Sequence, residues 1–132
     1  MELYYIGTMQ EKCQPALDVF AKRGCTIHSF ASLEEACTAL KKAETKPDLA
    51  ILDESEERQD PATMRRAVMD VMSINAFTYA TAMTSFDAEV YHDAMEGLGM
   101  LTALPCPART ADGERLWAEL ANFVSTDIDH KA

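Results

Sequence analysis

The sequence predicts one α/β domain with a doubly wound, five-stranded parallel sheet and helices on both faces. Short β-prone runs alternate with amphipathic helical patterns five times along the 132 residues. The connections between them are short, which parallel β-α units favour. Leu49–Leu52 is a continuous apolar run, typical of a strand that is covered on both faces. We expect this domain to occupy residues 1–125, followed by a frayed tail over residues 126–132.

The strand predictions rest on β-branched and aromatic residues bounded by turn residues. The first run ends at Gly7, the third ends at Asp53 and the last ends at Pro105. The predicted strands cover residues 3–6, 26–30, 49–52, 77–82 and 100–104.

Helix boundaries are marked by capping residues. Ser32 with Glu35 forms the pattern of a capping box, and Asp60 before Pro61 is typical of an N-cap followed by proline at the first helical position. The fourth and fifth helices are predicted at about 87–96 and 112–124, and apolar spacing places Val90 and Phe123 among their inward residues.

Composition limits the classes of function. The chain has 22 acidic and 12 basic residues, a net charge of −10, and 48% apolar residues. It is therefore expected to fold, and it lacks the basic clusters that nucleic acids require. No apolar run is long enough to span a membrane, and the start lacks the pattern of a signal peptide. We expect a cytoplasmic protein whose cysteines are free thiols and whose cysteines and histidines form no metal site.

Function in a parallel sheet collects at the carboxyl ends of the strands. The predicted topology brings a set of crevice residues to that edge: Gly7, Thr8, Asp53, Glu54, Thr81, Thr84, Leu104 and Pro105. The acidic stretch 54–60 lacks the spaced ligands and glycine of a calcium loop, so we expect a solvated loop there.

Two segments resemble the receiver domain of two-component response regulators. Lys46–Asp53 is similar to the family's third strand, with a Pro-Asp pair, an apolar run and a terminal aspartate. Ala94–Pro105 is similar to the end of its fourth helix, its fifth strand and the proline that follows. The resemblance implies a flavodoxin-like fold in which Asp53 is the candidate phosphoacceptor.

The resemblance also shows where the phosphorylation chemistry is depleted. Gly7 and Thr8 stand where the family has an acidic pair that holds Mg²⁺, and Leu104 stands where it has a lysine. The switch hydroxyl corresponds to Thr81 or Thr84. The family's cis turn is expected at Leu104–Pro105.

These departures predict a degenerate receiver that acts by protein–protein interaction, without catalysis and without a cofactor. Its partners would be a histidine kinase or another regulator, or a second copy in a homodimer, through a face near the interface candidates Tyr91 and Trp117. The alternative is an atypical active receiver, phosphorylated on Asp53 with Mg²⁺ held by Asp53, Glu54 and another acid. A flavin-binding protein and an enzyme of another kind are further alternatives, although neither a phosphate loop nor a catalytic pair is evident.

Overall fold

The computed structural model describes residues 1–55 and 58–131, with side chains up to Phe123. Strands and helices alternate from β1 to α4, and α5 follows α4 without a further strand. The strands are β1 (Glu2–Ile6), β2 (Thr26–Phe30), β3 (Leu49–Asp53) and β4 (Tyr79–Met83). The helices are α1 (Gln10–Lys22), α2 (Leu33–Lys42), α3 (Pro61–Ile74), α4 (Ala88–Ala94) and α5 (Thr110–Lys131).

All strand pairs are parallel, and the sheet has the order β2-β1-β3-β4. Tyr5 pairs with Ile51, which pairs in turn with Thr81. The order reverses direction at β1, so the loops after β1 and β3 border the same crevice. This topology brings the ends of β1 and β3 together, as the sequence predicted.

The prediction of five strands is wrong, because the sheet of the described residues has four. Residues 101–104 lie beside β4 but form only one bridge, between Met83 and Leu104. The backbone N–H of Leu101 donates to Ala80 O and that of Leu104 donates to Ala82 O. The segment therefore advances three residues, from Leu101 to Leu104, while β4 advances two, from Ala80 to Ala82. The extra residue interrupts the ladder as a bulge does, so a regular fifth strand does not form.

The core consists of two apolar layers, one on each face of the sheet. Tyr5 and Ile51 face α1 and α5, whereas Ile6 and Leu52 face α2, α3 and α4. The β3 side chains are all buried, as the continuous apolar run predicted. A helix long and apolar enough to cross a membrane is not present among the described residues.

Both predicted N-caps are confirmed. Ser32 Oγ accepts a hydrogen bond from the Glu35 backbone N–H at 3.2 Å, and Asp60 Oδ1 accepts one from the Thr63 N–H at 2.9 Å. The Glu35 carboxylate accepts from the Ala31 N–H at 3.2 Å, one residue before the cap. These contacts satisfy backbone donors that the first helical turn leaves free.

Two predicted core residues, Val90 and Phe123, and one residue of the predicted fourth strand, Phe77, are exposed. Phe77 is 90% exposed because β4 begins only at Tyr79. Val90 is 42% exposed, since the short α4 buries Tyr91 rather than its neighbour. Phe123 is 47% exposed and stacks on Tyr79, with the ring centroids 5.7 Å apart.

Three predictions concern residues from Leu104 to the end of the chain. The cis bond expected at Leu104–Pro105 is wrong: in the described residues the cis peptide is Cys106–Pro107. Helix α5 runs to Lys131, beyond the predicted end near 124. The predicted frayed tail covers residues 126–132. The side chains of these residues, and the whole of residue 132, lie outside the described part, so the tail stays a prediction.

Candidate functional site

The side chain of Asp53 lies at the carboxyl end of β3 and is completely buried. Its Oδ2 accepts hydrogen bonds from the Tyr5 hydroxyl at 2.7 Å and from the Met9 N–H at 2.8 Å. Its Oδ1 accepts from the Ser55 N–H at 2.9 Å. Donors from β1, from the start of α1 and from the loop after β3 therefore occupy both carboxylate oxygens.

Arg58 supplies the charge that balances this carboxylate. Its Nε donates to Asp53 O at 2.8 Å, and its Nη2 lies 3.4 Å from Asp53 Oδ1 and 3.3 Å from Ile6 O. The side chain of Arg58 is 6% exposed and that of Asp53 is fully buried. A buried carboxylate requires such a partner, because water cannot solvate it. The fold thus holds its own cation next to Asp53.

Gly7 makes room for the carboxylate. Its φ is +140°, and a Cβ built on it would lie 1.9 Å from Asp53 Oδ1 and 2.2 Å from Oδ2. No side chain fits at that distance, so only glycine allows Asp53 to turn towards the end of β1. The Asp53 carboxylate therefore lies where a side chain at position 7 would be.

Burial also raises the pKa of the neighbouring tyrosine, Tyr5. Desolvation raises the pKa of Tyr5 far above its usual value, and the hydrogen bond to Asp53 raises it further. The Tyr5 hydroxyl consequently keeps its proton and acts as a donor. Burial likewise raises the pKa of the Cys13 thiol to about 12, so this thiol is neutral and unreactive near neutral pH.

Glu54 is held by the loop after β4. One carboxylate oxygen, Oε2, accepts from the Thr84 hydroxyl, the Ser85 N–H and the Ser85 hydroxyl, each at 3.0 Å. Thr84 is itself buried and its Oγ1 accepts from the Phe86 N–H. Glu54 therefore fastens the end of β3 to the loop after β4.

The two threonines considered as the switch hydroxyl have different surroundings. The Thr81 hydroxyl is buried and donates to Thr102 O at 2.8 Å, away from the strand ends. Thr84 follows Met83, the residue paired with Asp53, and contacts Glu54. Of the two hydroxyls, Thr84 is the one at the crevice.

The remaining crevice residues supply no charge. Thr8 is exposed and its N–H donates to Ser55 Oγ at 3.1 Å. Leu104 is fully buried in the core beside β4, whereas Pro105 is exposed. The position of the family's lysine is thus occupied by a core side chain.

The residues around Asp53 do not fit the Mg²⁺ that the fold family uses. A hard cation needs several free oxygen ligands. Gly7 has no side chain, both Asp53 oxygens accept internal hydrogen bonds, and Glu54 is engaged by Thr84. In the described part of the chain, no three acidic, His or Cys side chains are grouped to hold a metal.

Sequence reasoning missed three residues of this centre. Tyr5 was assigned only to a strand, and Ser55 and Arg58 were assigned to a solvated loop. That assignment is wrong for Ser55 and Arg58, which are 6% and 5% exposed, whereas Gln59 and Asp60 are exposed as predicted. The lone arginine among the acids of residues 54–60 was the available signal, because it is the one cation close to Asp53 in sequence.

The two interface candidates lie on different sides of the domain. Tyr91 is buried, and its hydroxyl donates to Leu101 O at 3.0 Å on the floor of an open groove. Trp117 packs edge-on against Phe20 of α1, with ring centroids 5.4 Å apart, under the Arg23 guanidinium. Trp117 therefore faces α1 and not the side of α4, contrary to expectation.

An open groove lies beside the crevice. It has a volume of about 1010 Å³ and runs between α4 and α5, over residues 100–106. Its floor is apolar and includes Tyr91, Met100 and Leu104.

Comparison with protein-family models gives no match, and comparison with curated proteins gives none either. Solved structures do match. A receiver domain protein from Methanospirillum hungatei JF-1 is 11% identical, with a TM-score of 0.71 over 92% of this chain and 94% of that one. The signal receiver domain of an HD domain-containing protein from Pseudomonas fluorescens Pf-5 is 14% identical, with a TM-score of 0.72 over 95% and 97%.

A third match is the chemotaxis response regulator CheY4 of Vibrio cholerae. It is 16% identical, with a TM-score of 0.70 over 90% of this chain and 97% of that one. Each matched chain is covered almost completely, so the similarity concerns a whole domain and not a shared fragment. The chain therefore has the flavodoxin-like fold of the receiver domains of two-component response regulators.

Proposed function

We propose that the protein is a degenerate receiver, a signalling module that binds another protein and does not run the Mg²⁺-dependent phosphorylation cycle. The observation that carries this proposal is the sealed carboxylate of Asp53. Both of its oxygens accept internal hydrogen bonds, and the Arg58 guanidinium balances its charge. A phosphoryl group cannot reach an oxygen that is buried and engaged.

The chemistry of the transfer supports the same conclusion. A phosphoryl transfer depends on cations that neutralise charge on the phosphoryl oxygens. Here the Arg58 guanidinium already binds Asp53, and a leucine, Leu104, stands at the position of the family's lysine. Attack through Oδ2 would require Asp53 to break its contacts with Tyr5 and Met9. Attack through Oδ1 would require it to break those with Ser55 and Arg58.

In this role the domain acts through a preformed surface and has no catalytic activity of its own. The domain would bind its partner in one state, without a phosphorylated and an unphosphorylated form, because the Asp53 side chain is held by internal contacts. Its partner would be a histidine kinase or another regulator, and the cytoplasmic location expected from the free cysteines remains a prediction.

The test is exposure of the protein to acetyl phosphate with Mg²⁺, followed by intact-mass measurement. We expect no gain of a phosphoryl group, and no shift of the Asp53 or Ser55 amide resonances when beryllofluoride and Mg²⁺ are added. A receiver that is known to be phosphorylated serves as the positive control. A mass gain that the Asp53→Asn variant lacks would establish the alternative, an active atypical receiver.

A further inference from the structure

We propose that two copies of this chain pair through the outer edge of β2, with the two strands antiparallel and His28 of one copy opposite His28 of the other. The two sheets then join into one continuous sheet. The pairing involves the sheet edge opposite β4 and does not depend on the state of Asp53. Three observations carry the proposal: the free backbone groups of β2, their symmetry about His28, and the charges near the two ends of the strand.

Strand β2 lies at the edge of the sheet, and β1 is its neighbour on one side. The Thr26 N–H donates to Met1 O at 3.0 Å at the start of β2. At its end, Phe30 O accepts from the Gly7 N–H at 2.8 Å. The backbone groups of Thr26 and Phe30 therefore face β1.

Two residues of β2 direct their backbone groups away from β1. Alternate residues of a strand in a parallel pair bond to the same neighbour, so His28 also bonds to β1, whereas Ile27 and Ser29 face outward. Within the described residues, Ile27 and Ser29 form no backbone hydrogen bond outside the ladder. Their two N–H and two C=O groups are therefore available to an added strand.

The side chains of β2 do not block this edge. Natural edge strands are commonly protected by charged residues, proline or a bulge. The strand Thr26–Phe30 contains no Lys, Arg, Asp, Glu or Pro, and it pairs with β1 residue for residue over its whole length. His28 and Ser29 are exposed, so a second strand could approach them.

The available groups are bounded on both sides. Before them, the Cys25 N–H donates to Phe20 O at 3.1 Å, and after them the Ala31 N–H donates to Glu35 Oε2 at 3.2 Å. Cys25 and Ala31 are each three residues from His28. The free part of the edge is therefore centred on His28.

This symmetry matches a second copy of the same edge. A two-fold axis at His28 makes the strands antiparallel and places Ile27 of each copy opposite Ser29 of the other. Each of these two residue pairs exchanges two hydrogen bonds, so four bonds satisfy all the free groups of both copies. The two His28 residues form the non-hydrogen-bonded pair between them, with Cα atoms about 4.5 Å apart.

The charges near the ends of β2 favour the same arrangement. Lys22 precedes the strand and Glu34 follows it, and both are exposed and without an ion pair among the described residues. Antiparallel pairing brings the basic end of one copy towards the acidic end of the other, whereas parallel pairing brings like charges together. The net charge of −10 opposes association, but salt at about 0.15 M screens it beyond about 8 Å.

The first experiment is light scattering of the full chain at about 0.15 M salt over a range of concentrations. Two five-residue strands form a small contact, so we expect a weak dimer. The apparent mass should rise from one chain towards two between about 20 µM and about 1 mM. A mass of one chain throughout this range would overturn the proposal.

The matched variants Ser29→Pro and Ser29→Ala locate the contact. Proline removes the outward N–H of Ser29 and leaves the bonds between β2 and β1 in place, so the dimer should weaken about tenfold or more. Alanine keeps this N–H, so the dimer should persist. Circular dichroism checks that both variants are folded. A dimer that Ser29→Pro leaves unchanged would form through another face and would contradict the proposal.

A cross-link tests the register without weakening the edge. His28→Cys places a thiol opposite its own copy at a distance that a disulfide spans, so oxidised glutathione should produce a covalent dimer. Thr26→Cys is the control, because Thr26 lies opposite Phe30 and should cross-link no more than the parent chain does. Equal cross-linking of the two variants would exclude the antiparallel pairing centred on His28. No phosphodonor is present, so these results are independent of the phosphorylation test.

Discussion

The Asp53 centre and the groove beside α4 differ in how they satisfy their polar groups. Asp53 and Arg58 are buried and bind each other. The Tyr5 hydroxyl and the Ser55 N–H also donate hydrogen bonds to the Asp53 carboxylate. The groove exposes apolar surface, and the acidic side chain of Glu96 at its edge faces solvent. The centre thus uses its interactions to hold the fold together, whereas the groove leaves surface free for another molecule.

This difference bears on the proposed function, in which the domain has the receiver fold without its phosphorylation cycle. In a switching domain, charge at the crevice changes and the surface responds. Here the Arg58 guanidinium balances the charge of the Asp53 carboxylate, and three further groups donate hydrogen bonds to it within the fold. Variants of the centre should therefore change stability, and variants of the exposed groove edge should leave it unchanged.

The largest expected effect is that of Arg58→Met. Removing the guanidinium leaves the buried Asp53 carboxylate without a counter-charge, which costs about 3–5 kcal/mol of the free energy of unfolding. Urea denaturation followed by circular dichroism measures it.

The control for Arg58→Met is Arg66→Met, which removes an exposed arginine from α3 and should change stability by no more than about 0.5 kcal/mol. Adding Asp53→Asn to Arg58→Met should recover part of the loss, because the unpaired charge is then absent. If Arg58→Met were as mild as its control, the centre would not depend on this ion pair.

A smaller loss is expected for Gly7→Ala, at about 2–3 kcal/mol by thermal or urea unfolding. The new Cβ would overlap the Asp53 carboxylate at 1.9 Å, so the carboxylate must leave its donors. Gly24→Ala is the matched control: it also has a positive φ, but open space surrounds its Cβ, so about 1 kcal/mol is expected. Equal losses for the two variants would contradict the close approach of Asp53 to Gly7.

The smallest effect on stability is expected in the groove. Glu96→Lys changes an exposed side chain, so the free energy of unfolding should stay within about 0.5 kcal/mol of the parent. Urea denaturation followed by circular dichroism measures it. A loss of stability as large as that of Gly7→Ala would mean that the groove edge is also part of the structural core.

Much of the fold followed from local patterns. The apolar run before Asp53 predicted a buried strand, and Ser32 and Asp60 predicted two helix starts that the structure confirms. The absence of the fifth strand was not predictable in this way. Residues 100–104 have the composition of a strand, but their backbone groups do not keep a regular register with β4. Register depends on what the segment meets at Ala80 and Ala82, which no local pattern contains.

The sequence by itself determined which groups are missing from the crevice: the acids replaced by Gly7 and Thr8, and the lysine replaced by Leu104. Only the tertiary structure decided what Asp53 does instead. Its donors come from β1, from the start of α1 and from Arg58, five residues after Asp53 in the chain. A buried charge is stabilised by whatever the fold brings within hydrogen-bonding distance, and those distances exist only once the chain has folded.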